Sequence, residues 1–313
     1  MNKDELMDKL RELENLLHTF HVGHEEAIDA LLMALLCEGH VLLQGYIGLG
    51  KTMLAKTFSM SIGGSFSRIQ MTPDLLPSDL LGTVYFDFQK GEWKVKLGPL
   101  FANVVLIDEL NRASPRTQAA LLEAMQERQV TIEGKTYPLP RPFLVVATMI
   151  PIYGESSYEV PLGGIDRFAF SVYMGNLSRL EELKVLDIAD TLEKMGLKSL
   201  FEPQEVLALI ELASQVTVSQ SIKEYIVDIV SYTRVQEEVE WPPSPRASIW
   251  IMRGARAHAL LEGRDYVIPD DVKSVAKIAL RHRIGVKPEY AVDNVKPEDI
   301  IERALKSVPV PLS

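Results

Sequence analysis

Eight consecutive residues, Gly45-Tyr46-Ile47-Gly48-Leu49-Gly50-Lys51-Thr52, satisfy the pattern G-x-x-x-x-G-K-[ST] at every position. Such a run leaves the chain few architectures. Its glycines let backbone N–H groups converge on phosphate oxygens, its lysine pairs with the β and γ oxygens, and its final hydroxyl ligates Mg²⁺. This works only where a strand delivers the chain into the turn and a helix leaves it with its positive end toward the anion. Both flanks comply: Val41-Leu42-Leu43-Gln44 reads as a short buried strand, and a helix is expected to begin near Lys51. We therefore expect the segment from Gly45 through Met53 to bind the phosphates of ATP, with Lys51 as the charged contact and Thr52 as a metal ligand.

Downstream, the apolar run Val104-Val105-Leu106-Ile107 ends in Asp108 and Glu109. A strand ending in two acids says little alone, because many do so at protein surfaces. Behind a complete phosphate loop it says more. Asp108 is the residue to hold Mg²⁺ through water, and Glu109 the one to polarise an attacking water.

Further strands are expected at 65–70, 142–147 and 168–174, the last two nearly continuously apolar, as in a parallel sheet covered on both faces. Ser114-Pro115 offers an N-cap and a first-turn proline to a helix running to Met125. Period-two alternation at 83–88 and 93–97, and again at 129–132 and 136–139, predicts two glycine-turn hairpins inserted on the surface. Helices are predicted over 4–20 and 25–37. After about residue 176 the strands stop, and 177–195, 203–215, 219–235, 246–262 and 269–281 carry helical periodicity. The expected architecture is an α/β parallel-sheet domain with hairpin insertions over 1–176, followed by a smaller all-helical domain over 177–313.

Composition narrows the functions. A formal charge of −10 repels phosphate backbones, which makes nucleic acid an unlikely main partner. Cys37 is the sole cysteine, so neither an intrachain disulfide nor a cysteine zinc cage is available; its apolar surroundings predict a buried, inert thiol. His18, His21 and His24 are close in sequence, but no acid or further cysteine in their neighbourhood reads as completing a metal-ligand set. No apolar run approaches the ~18 residues of a membrane span, and acidic residues stand where a signal peptide would be basic and then apolar. A cytoplasmic location is expected.

Taken in order, several motifs resemble the MoxR group of AAA+ ATPases: Gly39-His40-Val41-Leu42-Leu43, the phosphate loop, the 69–79 segment beginning Ile69-Gln70-Met71-Thr72, Asp108-Glu109-Leu110-Asn111-Arg112-Ala113, Thr117-Gln118, Leu121 through Glu127, Ile165-Asp166-Arg167-Phe168, Ser244-Pro245-Arg246-Ala247 and Arg281-His282-Arg283. The likeness runs from about Val22 to Arg283. It implies an ATP- and Mg²⁺-dependent ATPase working as a ring, expected to be a hexamer, and a helical lid as the second domain. It also implies that hairpin 83–97 is the helix-2 insert of this branch. Arg167 would be an arginine finger reaching the γ-phosphate held by a neighbouring subunit, the alternative being a structural ion pair. Arg246 would be the sensor-2 arginine, bringing the lid to the nucleotide. Arg112 would lie near the subunit interface. The implied client is a protein, often one with a von Willebrand factor A domain.

The chain departs from that group at one telling place. The group usually ends its sensor-1 strand in Ala-Thr-Gln-Asn-Pro, whereas this chain has Ala147-Thr148-Met149-Ile150-Pro151. Ile150 has no hydrogen-bonding atom in its side chain, and Thr148 is the nearest polar substitute. Ile47, where the group often has proline, is a milder change. Three readings stay open from the sequence: a motor or chaperone that remodels a protein client, an ATP-binding assembly module with little turnover, and, ranked last, a DNA-translocating helicase-like ATPase.

Overall fold

The computed structural model describes residues 2–46, 48–150, 158–194 and 199–311, so Ile47 and Pro151 lie outside the described residues. Helices α1 (Lys3–Phe20) and α2 (Glu25–Leu36) lead into strand β1 (Val41–Gln44), and the glycine turn then opens α3 (Lys51–Ser61). Strand β2 (Phe66–Gln70) is followed by the short α4 (Pro77–Leu81) and the antiparallel hairpin β3 (Gly82–Asp87)–β4 (Glu92–Leu97). Strand β5 (Val104–Asp108) leads to α5 (Pro115–Glu127), where the Ser114 hydroxyl accepts the Thr117 N–H as an N-cap. The second hairpin, β6 (Gln129–Ile132)–β7 (Lys135–Pro138), precedes β8 (Leu144–Met149), the short α6 (Leu162–Ile165) and β9 (Phe170–Tyr173).

Five strands form one parallel sheet in the order β2-β5-β8-β1-β9. The runs of β1, β5 and β8 are almost unbroken in apolar residues because successive side chains enter different cores. Val41 and Leu43, Val104 and Leu106, and Leu144 and Val146 face a core shared with α1, α2 and α3. Leu42, Val105, Ile107, Val145 and Ala147 face the other, closed by α5 and the hairpins. Strand order reverses on either side of β1, so a crevice opens at the carboxyl ends of the strands where the glycine turn leaves the sheet.

The chain then becomes mostly helical: α7 (Arg179–Lys194), α8 (Pro203–Gln215), α9 (Gln220–Arg234), α10 (Pro245–Leu261) and α11 (Pro269–Leu280). Two sequence expectations need correction. Strands do not stop after residue 176, because β10 (Val239–Trp241) and β11 (Gly285–Val286) pair antiparallel. The tail also holds two more helices, α12 (Pro288–Val292) and α13 (Pro297–Ser307). Two- and three-residue strands are too short to show a period. Helix α13 buries Ile300, Ile301 and Ala304 on one face, an apolar stripe that the sequence reading passed over. Helix α10 packs on α2, α8 and α9, and α11 packs on β9, so one apolar core runs from the sheet into the helical region. None of the described helices is long and apolar enough to cross a membrane.

Candidate functional site

At the carboxyl ends of β1, β2, β5 and β8 lies a cavity of about 520 Å³ lined by Gly48, Leu49, Gly50, Lys51, Thr52, Met53, Lys56, Arg68, Gln70, Asp108, Glu109, Thr148 and Ile150. That volume suits a small-molecule ligand. Gly48 (φ 91°) and Gly50 (φ 77°) hold left-handed backbone and border open space, so a ligand can approach the main chain of the loop there. Gly45 instead lies against the Met174 carbonyl and, like Tyr46, is not part of the lining. The carbonyls of these two residues accept the Lys51 ammonium, each at 2.7 Å. Burial lowers the Lys51 pKa, against the pull of Asp108 and Glu109. A triphosphate entering here would meet a buried cation that, among the described residues, is held by main-chain carbonyls.

The acids are placed by three strands. Asp108 ends β5 and is buried. One of its oxygens accepts the Arg68 Nε at 2.7 Å, and the other lies 3.4 Å from the Thr148 hydroxyl. Glu109 follows in left-handed backbone (φ 58°, ψ 54°), a conformation that costs a non-glycine residue ~1–2 kcal/mol. It is held there by its N–H donating to the Thr148 hydroxyl at 2.9 Å and by its carbonyl accepting the Arg112 N–H. Its carboxylate accepts Gln70 Nε2 at 2.9 Å and Arg112 Nη1 at 2.8 Å. Thr148 thus ties the two acids together, while Ile150 presents an apolar wall to the same cavity. Thr52 and Asp108 supply hard oxygens beside Lys51, a donor set that fits Mg²⁺ completed by water and phosphate.

Sequence reasoning named Arg112 without a precise place and gave no role to Arg68 or Gln70. Arg68 and Gln70 alternate on β2 toward the cavity, with buried Ile69 facing the opposite core between them. Gln70 stood in a quoted motif, but its contact with Glu109 is tertiary.

Arg167 and Arg246 do not line this cavity; they meet elsewhere. Arg167 Nε donates to Gln126 Oε1 at 3.0 Å, and Arg246 Nη2 donates to the same oxygen at 3.3 Å. Both border a smaller cavity of about 140 Å³ with Glu38, His40, Arg128 and Trp250. Arg246 also pairs with Asp166 at 3.4 Å, and Asp166 accepts the Ser244 hydroxyl and the buried Arg283. Arg283 further donates to the carbonyls of Asp166, Phe168 and Ala169, which clamps the end of α11 to the segment entering β9. Arg246 therefore stands outside the cavity of this chain's own phosphate loop.

Other expectations fare variously. Cys37 is half-buried rather than buried, and desolvation pushes its thiol up to about 12, so it stays protonated. Glu14, one helical turn before His18, and Asp29 on α2 lie within 4.8 Å of each other and of His18, a grouping that the sequence expectation did not count, whereas His21 and His24 are buried apart from it. Trp93 is largely exposed and meets Phe86 edge-on at 5.3 Å, near Phe88, which is 90% exposed at the hairpin end.

A phosphate loop opening a helix at the switch point of a parallel sheet, with paired acids at the end of the next strand but one and a helical region beyond, defines a P-loop ATPase of the AAA+ class. Residues 40–170 match the family described as ATPase family associated with various cellular activities, and residues 231–304 match the AAA lid domain. The chain is 42% identical to the Bacillus subtilis protein YeaC, over 93% of this chain and 91% of that one. It is 41% identical to the chaperone MoxR1 of Mycobacterium tuberculosis, over 93% and 79%. A crystal structure from Cytophaga hutchinsonii, assigned as an ATPase, superposes with a TM-score of 0.91 at 36% identity, covering 99% of this chain and 97% of that one. An MCM homologue from Methanopyrus kandleri shares the fold at a TM-score of 0.61 and 19% identity, over 91% and 63%. This chain belongs to the MoxR family of AAA+ ATPases.

Proposed function

We propose that this chain binds Mg²⁺·ATP in the 520 Å³ cavity, hydrolyses it between the subunits of a ring, and spends the cycle on remodelling a protein client. One observation carries the reading. The residues around the phosphate loop and the Arg167–Arg246 pair share no lining residue, so one chain presents both halves of a hydrolytic site without joining them. Arg167 is held by a neutral, exposed glutamine and can leave it at small cost. In a ring, both arginines would act in trans on the nucleotide of the next subunit.

In that site the loop N–H groups and Lys51 bind the phosphates, and Thr52 with Asp108 would hold the metal. Mg²⁺, when bound, would neutralise charge on the phosphates. Glu109 orients water and accepts its proton once Gln70 and Arg112 release it; Arg167 stabilises charge on the transferred phosphoryl group. The client we propose is a protein with a von Willebrand factor A domain, on the family likeness, with exposed Phe88 and Trp93 as a contact surface. A slow assembly switch is the second reading, favoured by the apolar Ile150 in the cavity and by the engagement of Thr148 with both acids.

The test mixes two inactive proteins. Lys51→Ala should lose nucleotide binding, and Arg167→Ala should bind normally yet lose ~10³-fold or more of turnover, the scale of arginine fingers. Mixed together they should recover turnover, because some interfaces then join an intact loop to an intact finger. Full activity of Arg167→Ala alone, or no recovery on mixing assembled rings, would overturn the trans site.

A further inference from the structure

Arg68 is a cation aimed at the carboxylate that would hold another cation. It stands on the edge strand β2, two residues before Gln70 and on the same face. Its Nε donates to Asp108 Oδ2 at 2.7 Å, and among the described residues it is the only cationic side chain bonded to that acid. Lys51, another cation of the cavity wall, spends its ammonium on the carbonyls of Gly45 and Tyr46. The Arg68 side chain is 52% exposed on the cavity wall, whereas that of Asp108 is 10% exposed. The acid is fixed and the arginine has room to swing away.

We infer that Arg68 is a positioning residue that occupies Asp108 until the metal arrives, so that loading Mg²⁺ is a displacement rather than a simple addition. The inference rests on the ATP site proposed above and adds a residue to it. Its physical basis is charge. A guanidinium on Asp108 Oδ2 blocks one oxygen of the acid and repels a divalent ion a few ångströms away. Part of the metal's binding free energy is therefore spent on breaking the pair. Strand β2 holds both acids, Asp108 through Arg68 and Glu109 through Gln70. Neither is exposed to a wrong partner before nucleotide and metal enter together.

The experiment compares affinities for a fluorescent ATP analogue with Mg²⁺ and with EDTA; the ratio of the two is the gain due to metal. Arg68→Ala should raise that gain about three- to tenfold, a scale between exposed ion pairs and charged hydrogen bonds. Affinity in EDTA should change little. Arg68→Lys should fall between, and Arg68→Gln, which keeps the stem, serves if the alanine variant does not fold. Adding Arg68→Ala to Asp108→Asn should leave the gain unchanged, because no carboxylate remains to be released. A gain identical to that of the unmodified chain in folded Arg68→Ala and Arg68→Gln would make the pair merely structural. A reduced gain, or weaker binding in EDTA, would make Arg68 a phosphate contact instead; either result overturns the inference. Failure of the unmodified chain to bind the analogue at all would instead overturn the ATP site on which the inference rests.

Discussion

The arginines of the cavity and of the lid junction use the same bond for opposite ends. Arg68 and Arg112 hold Asp108 and Glu109 with side chains 52% and 43% exposed. Arg283 holds Asp166 with a side chain 1% exposed and spends its remaining donors on main-chain carbonyls. Arg246 shares Asp166 with Arg283 but is 42% exposed and so belongs with the first group. An ion pair in contact with water is worth ~0–1 kcal/mol and can be exchanged for a better partner. A buried one resists removal, since taking away one charge strands the other. Two adjacent arginines can therefore bind one carboxylate, with one fixed and the other available to a neighbour.

The largest effect that sharpens this contrast is the loss of a fixed arginine. Arg283→Ala should destabilise the chain by about 3–5 kcal/mol, because Asp166 and several carbonyls lose buried donors. Denaturant titration measures this, and Arg112→Ala in the same assay should cost less than about 1 kcal/mol. Equal costs would erase the distinction.

Next comes a buried pair read through pH. Burial pushes the Asp271 carboxyl up, but hydrogen bonds from Arg264, His258 and the Ile268 N–H outweigh it and bring it to about 2, below its ordinary 3.8. A carboxylate with a depressed pKa in the folded state stabilises above its unfolded pKa and loses that contribution as pH falls through the folded value. Asp271→Asn should thus cost about 2 kcal/mol near neutrality, and the gap should close between about pH 4 and pH 2. Unfolding curves across that window check it; a gap independent of pH would remove the electrostatic explanation.

The smallest expected effect concerns the apolar wall of the cavity. Ile150→Asn, with or without Met149→Gln, should raise basal turnover at least about tenfold with little change in ATP affinity, by supplying a polar group beside the water that Glu109 would polarise. Steady-state rates at saturating ATP decide it. Brisk turnover by the unmodified chain, unaltered by the substitution, would show that Ile150 limits nothing.

Local chemistry was legible in the sequence wherever the residues involved are consecutive. The phosphate loop needs glycines, a lysine and a hydroxyl within eight positions, and a strand and a helix on either side. The acids end an apolar run, and Ser114-Pro115 starts a helix by its own side chain and ring. These are short-range constraints, so neighbouring residues carry the whole signal. The central strands were legible for a related reason, since an unbroken apolar run can only be covered on both faces.

What the sequence did not decide was which side chains meet across distance. That Thr148 ties Asp108 to Glu109, that Arg68 sits on Asp108, and that Gln126 gathers Arg167 and Arg246 away from the phosphate loop all depend on strand order and on how the lid docks. A single residue's chemistry gives its capacity to bond but not its partner. In this chain the partner is set by a sheet ordered β2-β5-β8-β1-β9, which puts the ends of distant strands within one hydrogen bond of each other. Packing fixes that order through the burial of whole faces, a sum over many residues that no local motif contains.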